Sequence, residues 1–496
     1  MERIVDRLKK QGKIVVLSHG VFDLLHPGHI LHFEAAKREG DVLVVTLTKD
    51  EHVGKGPGRP VFSQRLRAES IASLACVDYV AINEWPIAVE TIKKIKPNIY
   101  AKGSDYENPE DDLTGKIKDE HDAVQSVGGR IHFTHEVAFS STEILNRHYM
   151  VYPDQAQVFL EKFRKKYNAD QVIHLLKDLK DLKVLVIGDT IIDEYHFCQP
   201  MGKSPKESIV ASRYLREEAF AGGILACANH LAGFCGSVDL VTCLGKEDSR
   251  EDFILDHLKP HIKSKFFYRE DTPTIVKRRY VWDPFLVKLF EVVFLNDHPI
   301  PLSLEKQMLN HLNKVIGSYD LVVVADYGHG FLTPAINDLI ARKSRFLAVN
   351  TQTNSANTGY NLITKYKKAD YVCIDEPEMR LAHQDKFGKL ENLILKTAKK
   401  LNCQHVTVTR GHLGSLTYSK KEGFFETPIF SKEIVDRVGA GDAFLAVTAL
   451  CVAQKIPTDL LGFVGNTVGA LAVRIVGNRT PVEPVPLFKF ITALLK

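Results

Sequence analysis

The chain has 496 residues, of which 45% are hydrophobic and 25% are charged, values typical of a folded globular protein rather than a disordered or collagen-like chain. Its 65 basic and 61 acidic residues give a net charge of +4, so a concentrated basic surface for nucleic acid is not expected. At about 100–200 residues per domain, this length predicts two to four domains.

No membrane span or secretory signal is expected. The apolar stretch Phe444–Ala453 is far shorter than the ~20 residues that cross a bilayer. Residues 1–13 are charged where a signal peptide would be apolar. The eight cysteines form no CxxC pair and no Cys/His zinc spacing, so we expect reduced core cysteines in a cytoplasmic protein.

The first part of the chain alternates short apolar segments with helical ones. Residues 41–48 (DVLVVTLT) are β-rich and almost wholly apolar, as expected of a strand buried on both faces of a parallel sheet. Strands are predicted at residues 13–17, 41–48, 78–82 and 98–101. One helix is predicted to end near residue 38, and two further helices are predicted at residues 65–76 and 87–95. This rhythm predicts a doubly wound α/β domain over residues 1–146, followed by a helical linker over 147–182.

A second α/β series starts at residue 183, where the run VLVIGD indicates a buried strand. Further strands are predicted at residues 238–243, 321–325, 346–350, 371–374 and 405–409. A β-rich insertion, residues 209–215 and 274–281, is predicted to form a lid or a dimer clasp. We therefore expect a second, different α/β domain over residues 183–496.

The first candidate site is the segment Ser18–His29 (SHGVFDLLHPGH), which follows a predicted strand and opens a predicted helix. A helix start presents free N–H groups and the positive end of the helix dipole, so it favours an anion. His26 and His29 can both donate to phosphate oxygens and stabilise charge on a phosphate under attack. Gly20 and Gly28 allow the backbone to approach a nucleotide closely. The segment predicts catalysis by positioning and charge neutralisation, without a covalent nucleophile.

This segment resembles the cytidylyltransferase-like nucleotidyltransferases, and among them the nucleotidyltransferase domain of the bifunctional heptose kinase/adenylyltransferases. The resemblance covers residues 12–146 and implies that His26 and His29 act on the triphosphate beside Lys55. His32 is expected to be an exposed helix residue. Matches in this loop and in the runs GKGPGRP, KGSDY and FSSTEI imply further nucleotide or acceptor contacts at Gly20, Phe22, Gly28, Arg59, Lys102, Asp105, Ser140, Ser141 and Thr142.

The second candidate site is the run DRVGAGDAF, which precedes an apolar helix. The N–H groups of Gly439, Ala440 and Gly441 form an anion hole for a transferring phosphoryl group. Asp442, at the edge of that hole, can accept the proton of an attacking hydroxyl. The pattern predicts phosphoryl transfer to a hydroxyl group.

Together with IGD at 187–189 and AGG at 221–223, this run resembles the ribokinase/phosphofructokinase-B sugar kinases across residues 183–490, and within them the heptose 7-phosphate kinases. The resemblance implies a sugar contacted by Asp189, Asp193, Gly222, Gly223 and Asn229. It also implies an ATP site lined by Thr409, Gly411 and Gly414 in addition to the GAG turn, and it places Asp326 and Glu378 near Mg²⁺ and the phosphates.

The chain departs from that family at GGILACAN, at Asp375, which stands where the family has asparagine, and in two further features. The strand that usually ends in Asp-Pro-Lys ends here in Asn350-Thr351-Gln352, which replaces a charged pair by amides and alters the electric field near a phosphoryl-transfer site. The domain order is also the reverse of that in the bifunctional heptose enzymes. Two interpretations follow: either the sugar substrate differs from the usual heptose phosphate, or the activity of the kinase domain is weakened.

The expected fold class is α/β, with two doubly wound, Rossmann-like domains: a nucleotidyltransferase fold followed by a ribokinase-like fold with a small β lid. The expected function is ATP-dependent phosphorylation of a sugar or sugar phosphate, together with nucleotidyl transfer from ATP or CTP to a sugar 1-phosphate with release of pyrophosphate. The alternative is a CTP-dependent polyol-phosphate cytidylyltransferase fused to a sugar-binding regulatory kinase-like domain. Mg²⁺ is the expected cofactor; the expected partners are small molecules, with neither nucleic acid nor membrane, and a homodimer stays open.

Overall fold

The computed structural model describes residues 1–104, 107, 116–135 and 152–496. It divides into two compact units, one formed by Met1–Tyr152 with Phe488–Lys496 and one formed by Pro153–Leu487. The predicted division, at residues 146 and 183, differs because it leaves Phe488–Lys496 in the second domain. Strand and helix alternation is a local signal, and it carries no information about which unit a distant helix packs against.

The first unit is built on a five-stranded sheet of order β3-β2-β1-β4-β5, in which every pairing is parallel. Its strands are β1 (Val15–Gly20), β2 (Val42–Thr48), β3 (Tyr79–Asn83), β4 (Ile99–Gly103) and β5 (Arg130–Thr134). Among the described residues up to Tyr152, its helices are α1 (Glu2–Lys10), α2 (Pro27–Arg38), α3 (Gln64–Ala72), α4 (Val89–Ile95) and α5 (Ile117–Ser126). This strand order is that of a doubly wound nucleotide-binding fold, which confirms the predicted class.

The sheet of the first unit is covered on both faces. Val15 and Leu17 of β1 pack in one core with Ile92 of α4, whereas Val16 packs in the other core with Phe33 of α2. Successive strand residues point to opposite faces, so a strand buried on both sides is apolar throughout. This explains why β2 is apolar over most of its length and why the polar residues of β1 come at its carboxyl end.

The second unit contains a nine-stranded sheet of order β10-β9-β6-β13-β14-β15-β16-β17-β18. The pairings from β10 to β16 are parallel, and β17 and β18 add an antiparallel edge. The strands are β6 (Lys183–Gly188), β9 (Ser237–Gly245), β10 (Ile262–Arg269), β13 (Leu321–Asp326), β14 (Leu347–Thr351), β15 (Tyr371–Asp375), β16 (His405–Thr409), β17 (Ser415–Ser419) and β18 (Gly423–Thr427). The predicted strands of this half are all present.

Helices flank this sheet, and the predicted linker consists of the first two of them. They are α6 (Asp154–Phe163), α7 (Ala169–Lys177), α8 (Ile224–Leu231), α9 (Glu251–His257), α10 (Leu302–Val315), α11 (Pro334–Lys343), α12 (Glu376–His383), α13 (Leu390–Lys400), α14 (Ala440–Ala453), α15 (Thr458–Ala472) and α16 (Pro484–Leu495). Across the described ranges, no helix is both long and apolar enough to cross a membrane.

A separate four-stranded sheet of order β12-β11-β7-β8 contains the predicted β-rich insertion, called the lid sheet below. It consists of β7 (Thr190–Lys203), β8 (Val210–Gly223), β11 (Ile275–Trp282) and β12 (Val287–Phe294). The sequence indicated only parts of β8 and β11, because charged residues interrupt the apolar pattern of the other strands. Every residue of β12 is exposed, including Phe290 and Phe294.

Candidate active sites

The first site lies at the carboxyl edge of the five-stranded sheet, where nucleotides bind in doubly wound folds. The chain leaves β1 at Gly20, crosses a loop and enters α2. His26 is the N-cap of that helix with an extended backbone, and Pro27 occupies the first turn, where its missing N–H removes no helix hydrogen bond. His29 follows within the first turn. The two imidazoles therefore stand at the positive end of the helix dipole, as predicted.

His26 and His29 form a stacked pair, with ring centroids 3.8 Å apart and an interplanar angle of 20°. Burial lowers the pKa of His29 to about 3, and the proximity of His26, His32 and Lys55 disfavours a further positive charge there. Burial also lowers the pKa of His26, and Lys55 adds to that effect. Both rings are therefore neutral at pH 7, and an arriving anion would favour their N–H donor and protonated forms.

Gly20 and Phe22 shape the loop before the histidines. Phe22 adopts a left-handed backbone with φ of 48°, and a Cβ at position 20 would lie 2.8 Å from its ring atom Cζ. The same ring packs edge-on against His29, at 5.2 Å between centroids, and against Phe33, at 4.9 Å. Glycine is thus needed at position 20 for the close approach of Phe22, which in turn supports His29.

Arg59 is held by a carboxylate that sequence reasoning missed. Asp23 accepts hydrogen bonds from the backbone N–H groups of Val61 and Phe62 at 2.8 and 3.1 Å, and it lies 3.5 Å from Nη1 of Arg59. Both side chains are buried. The predicted nucleotide contact Arg59 therefore anchors the loop that carries Lys55. The sequence signal was an aspartate inside the apolar run VFDLL, because a carboxylate among apolar residues is expected to be buried with a cationic or hydrogen-bonding partner.

Arg67 of α3 was also missed, and it ties three segments around the same loop. Its guanidinium donates to the carbonyl of Thr48 at 2.8 Å, to Oδ1 of Asp50 at 2.6 Å and to the carbonyl of Phe62 at 3.0 Å. It is among the largest fully buried side chains of the described residues. A buried guanidinium needs all these acceptors, so Arg67 fixes the walls of the site.

Lys102 lies at the end of β4 and only 8% of it is exposed. Its Nζ is 2.8 Å from Oε2 of Glu120, which also accepts a hydrogen bond from Tyr100 at 3.0 Å. Its predicted phosphate-binding role thus competes with a buried ion pair. The predicted contacts Asp105, Ser140, Ser141 and Thr142 lie outside the described residues.

His32 corrects an expectation, because it is not an exposed helix residue. Its Nε2 lies 2.8 Å from Oγ of Ser18 and its Nδ1 lies 2.7 Å from Oγ1 of Thr134. Burial lowers its pKa to about 4. A neutral His32 thus bridges β1 and β5 beneath the catalytic loop.

The second site is built at the start of α14. Gly439 is the N-cap with φ of +81°, and a Cβ there would overlap Oδ1 of Asn478. Only glycine satisfies both conditions, so the residue shapes the predicted anion-binding turn. Ala440 and Gly441 open the helix behind it, and Asp442 follows in the first turn, only 6% exposed.

Asp442 is held by two donors from distant strands. Tyr327 donates its hydroxyl to Oδ1 at 2.6 Å, and Gln352 donates Nε2 to the same oxygen at 2.8 Å. Within the described residues, Oδ2 receives no hydrogen bond. Burial raises the pKa of Asp442 to about 6, against the lowering effect of these two donors. The carboxylate is oriented, with one oxygen left to accept a proton at neutral pH.

Two further carboxylates lie near Asp442. Asp193 on strand β7 of the lid sheet pairs with Arg279 of β11 and acts electrostatically on Asp442. A Cβ at Gly222 would overlap Asp193, so that glycine is needed beside it. Asp189 accepts a hydrogen bond from the backbone of Tyr327 at 3.1 Å, and burial with the charge of Asp326 raises its pKa to about 7.

Gly223 forms the turn from the lid sheet into α8. Its φ is +56°, and its N-cap position ends β8. The predicted sugar contacts Asp189, Asp193, Gly222 and Gly223 are thus brought to one region with Asp442, as the motif order indicated.

Asn229 does not join that region. Its amide donates to the carbonyl of His257 at 2.8 Å and accepts from the N–H of Lys259 at 3.0 Å. Both ends of the side chain hold the loop after α9. The predicted sugar contact is replaced by a structural one, because an amide offers the same donor and acceptor to a backbone turn as to a sugar.

The two predicted metal ligands occupy different environments. Asp326 is fully buried, accepts from Tyr366 at 2.6 Å and pairs with Lys365 at 2.6 Å. Glu378 accepts the N–H groups of Thr353 and Asp375. Among the described residues, no three His, Cys, Asp or Glu side chains are grouped so as to hold a metal ion. Asp326 is therefore a buried ion-pair partner, and Glu378 closes the N-terminus of α12.

The predicted ATP-binding residues follow β16. Thr409 ends that strand, and Gly411 begins a short turn with φ of +56° and open space where a side chain would lie. Gly414, with φ of +85°, packs so closely on the carbonyl of Thr427 that a Cβ would overlap it. The first glycine leaves room for a ligand, whereas the second is required by packing.

His329 is a further residue that sequence reasoning missed. It is 2% exposed, and neither ring nitrogen has a hydrogen-bond partner among the described residues. It lines a pocket with Asp189, Thr190 and Arg269. Burial lowers its pKa to about 4, and the nearby Lys277 adds to that effect. The sequence signal for this residue was the histidine of ADYGHG, which stands two positions after Tyr327, the residue that binds Asp442.

Comparison with protein families assigns both halves. A family described as pfkB family carbohydrate kinase matches residues 181–484, and one described as Cytidylyltransferase-like matches residues 17–147.

Curated relatives match the N-terminal part of the chain. The Bifunctional protein HldE of Syntrophotalea carbinolica is 40% identical over 142 residues, which are 28% of each chain. That of Gluconobacter oxydans is 42% identical over 147 residues, or 29% of each chain. The chain therefore spans less than a third of the length of these relatives.

Solved structures resemble the larger half. Ribokinase of Thermotoga maritima is 18% identical with a TM-score of 0.50, covering 62% of this chain and 99% of its own. Phosphofructokinase-2 of Escherichia coli is 13% identical with a TM-score of 0.52, covering 64% of this chain and 100% of its own. At these identities the likeness shows a ribokinase-like fold, which confirms the predicted fold class.

Proposed function

Since the chain belongs to the pfkB family of carbohydrate kinases, and its N-terminal domain is cytidylyltransferase-like, we propose that it is a bifunctional sugar-activating enzyme. One site phosphorylates a sugar or sugar phosphate with ATP. The other joins a sugar 1-phosphate to a nucleotide and releases pyrophosphate. Both reactions serve the synthesis of a nucleotide-activated sugar, and a heptose phosphate is the first substrate to test.

The observation that carries the kinase half is the oriented Asp442 at the GAG turn. A sugar hydroxyl gives its proton to Oδ2 of Asp442 while its oxygen attacks the γ-phosphorus of ATP. The bond from that phosphorus to the bridging oxygen breaks, and ADP leaves. The N–H groups of Gly439, Ala440 and Gly441 stabilise the charge that develops on the transferring phosphoryl group.

The observation that carries the nucleotidyltransferase half is the stacked pair His26 and His29 at the amino end of α2. An oxygen of the sugar 1-phosphate attacks the α-phosphorus of the nucleoside triphosphate, and the bond to the β-phosphate breaks to release pyrophosphate. The acceptor oxygen is already ionised, so no general base is needed. The two histidines and Lys55 stabilise charge on the phosphates.

Mg²⁺ is expected with the nucleotide substrates rather than in a protein cage. This ion takes one or two carboxylates with substrate phosphates and keeps several waters. Glu378 lies within electrostatic reach of Asp442 and fits one such position. Burial and Asp375 raise its pKa to about 8, so a bound cation would favour its charged form.

The experiment that tests the proposal is a pair of screens on the full chain. Pyrophosphate release is measured with each nucleoside triphosphate against sugar 1-phosphates and polyol phosphates, and ADP release is measured with ATP against sugars and sugar phosphates. Release of both products with sugar substrates supports the proposal. Pyrophosphate release with CTP and a polyol phosphate, without any ADP release, supports the alternative of a cytidylyltransferase fused to a regulatory sugar-binding domain.

The contacts of Gln352 favour a working kinase. From the sequence alone, the replacement of a charged pair by Asn350 and Gln352 was compatible with a kinase domain of weakened activity. Gln352 binds the proposed base directly, whereas Asn350 is buried and donates to the carbonyl of Cys373 at 2.7 Å. One amide is therefore a positioning residue for Asp442, and the other holds β14 to β15.

We expect Gln352→Leu to shift the acidic limb of the kinase kcat/KM profile upward by about one pH unit. A hydrogen bond to a charged group contributes ~1.5–3 kcal/mol, and 1.36 kcal/mol corresponds to one pKa unit. Losing the amide removes a donor that lowers the pKa of Asp442, so the base ionises at higher pH. The measurement is ADP release from pH 5 to 9.

Asn350→Ala is the matched control for this shift. It removes an amide two residues away that binds a carbonyl instead of the base, so it is expected to lower the melting temperature and leave the midpoint of the profile unchanged. Equal midpoints in the Gln352→Leu variant and the wild type would remove Gln352 from the kinase site.

A further inference from the structure

The segment Phe488–Lys496 lies outside both family matches, which cover residues 17–147 and 181–484. Its residues as far as Leu495 form the last part of α16, yet the segment belongs to the first unit together with Met1–Tyr152. The kinase fold does not account for this placement. Its contacts within the first unit show what the segment does there.

The segment packs against the loop that carries Lys55. Phe490 is fully buried, and its ring lies so close to Gly56 that a Cβ at position 56 would overlap it. Gly56 has φ of +92°, a conformation that side chains rarely adopt, so both its backbone and its surroundings require glycine. Two residues earlier in this loop, a Cβ at Gly54 would lie 3.9 Å from Cδ of Lys489. Lys489 therefore runs alongside the loop.

Positive charge is concentrated around Lys55. Burial lowers the pKa of its ammonium group to about 8, and the charges of Arg59, Lys496 and Lys489 add to that effect. Asp23 acts on Lys55 in the opposite direction, and this carboxylate is bound by two backbone N–H groups. Cations held together near a helix start are stabilised by an anion among them. Lys55 also acts on His26 and His29, so the charges extend to the catalytic loop.

We propose that Phe488–Lys496 completes the nucleotide site of the first unit: Phe490 holds the Lys55 loop, and Lys489 and Lys496 join Lys55 in binding the pyrophosphate portion of the nucleoside triphosphate. The ligand class is a polyphosphate, either the β- and γ-phosphates of the bound nucleotide or the pyrophosphate that leaves. This inference rests on the proposed nucleotidyl transfer. It adds to that reaction a set of residues more than 300 positions beyond the matched cytidylyltransferase-like region.

The test is the double variant Lys489→Gln/Lys496→Gln in the full chain. We expect the Kd for inorganic pyrophosphate, measured by titration calorimetry, to rise about tenfold, since hydrogen bonds to charged groups are strong. The KM for the nucleoside triphosphate should rise similarly in the pyrophosphate-release assay, with kcat less affected. The loss should shrink at high salt, because screening weakens the wild-type interaction as well.

Lys10→Gln/Lys13→Gln is the matched control. It removes the same charge from the first unit, but these lysines precede β1 at the amino edge of the sheet, opposite the catalytic loop. If both double variants lose the same affinity, or if neither does, the proposed role of Phe488–Lys496 is wrong. If the wild-type chain itself neither binds pyrophosphate nor releases it in the screen, the proposed nucleotidyl transfer fails instead.

A second variant separates the effect of the two lysine charges from the packing of Phe490 against the Lys55 loop. Phe490→Leu keeps the two lysines and most of the buried apolar surface but leaves space beside Gly56. We expect a higher KM for the nucleoside triphosphate and ADP release by the kinase site at the wild-type rate. A reduced melting temperature with an unchanged KM would show that Phe490 serves only the fold.

Discussion

Replacing Asp442 with asparagine is expected to lower sugar-dependent ATP consumption by about 10²–10⁴-fold, the range typical of a lost general base. Asparagine keeps the shape of the side chain and still offers an oxygen to Tyr327, so the turn before α14 should persist. It cannot take the proton of the attacking hydroxyl. The measurement is ADP release at saturating ATP with the sugar found in the screen, alongside a melting curve to show that the variant is folded.

The nucleotidyltransferase site is the internal control for Asp442→Asn. Pyrophosphate release with a finished sugar 1-phosphate should continue at the wild-type rate, because Asp442 belongs to the other unit. A variant that phosphorylates sugar as fast as the wild type would place the base elsewhere.

The pH profile of the wild-type kinase gives an independent check on Asp442. Only the ionised carboxylate accepts a proton, and burial raises its pKa to about 6. The value of kcat/KM should therefore be constant above that pH and decrease as the pH falls through about 6. An acidic limb near pH 4 would indicate a solvent-exposed carboxylate rather than this buried one.

Replacing His29 with alanine is expected to reduce pyrophosphate release by about 10²–10³-fold, the loss typical when one preorganised donor to developing charge is removed. The ring stacks on His26 at 3.8 Å and stands in the first turn of α2, so it is held where the phosphates are expected. The measurement is single-turnover pyrophosphate release, which separates the chemical step from product release.

Two comparisons accompany His29→Ala. His121→Ala, on α5 and half-exposed, removes an imidazole from the same unit without touching the loop, and it should leave the rate unchanged. ADP release by the kinase site should also be unchanged in both variants. Normal pyrophosphate release from His29→Ala would exclude the stacked pair from catalysis.

Much of the fold could be predicted because its signals are local. The strands β2, β6 and β13 are continuous apolar runs, as burial on both faces requires, and each lies where the sequence indicated it. The lid sheet was predicted only in part. Asp193 and Glu194 interrupt the apolar start of β7, and β12 (VKLFEVVF) shows no strict two-residue alternation because all of its residues are exposed.

In the candidate sites too, the features with a local sequence signal were predicted and those that depend on distant segments were not. The GAG turn and the HPGH loop were predicted because glycine, proline and histidine at a strand-to-helix junction have a local physical meaning. Asn229, Asp326 and His32 were assigned by motif or helix position, and each instead has structural partners from other segments. An amide, carboxylate or imidazole satisfies a backbone turn or a buried ion pair as readily as it satisfies a ligand, and a pattern of residues does not distinguish them.

By itself, the sequence determined two α/β units, the two anion-binding turns and the residue types placed at them, because chain order and glycine spacing act over a few neighbouring residues. Only the tertiary structure decided which charges meet. Asp442 is oriented by Gln352 and Tyr327, which lie 90 and 115 residues away, and Lys55 is joined by Lys489 from the far end of the chain. The physical reason is that burial and Coulomb interactions depend on distance in space, whereas a sequence pattern records only distance along the chain.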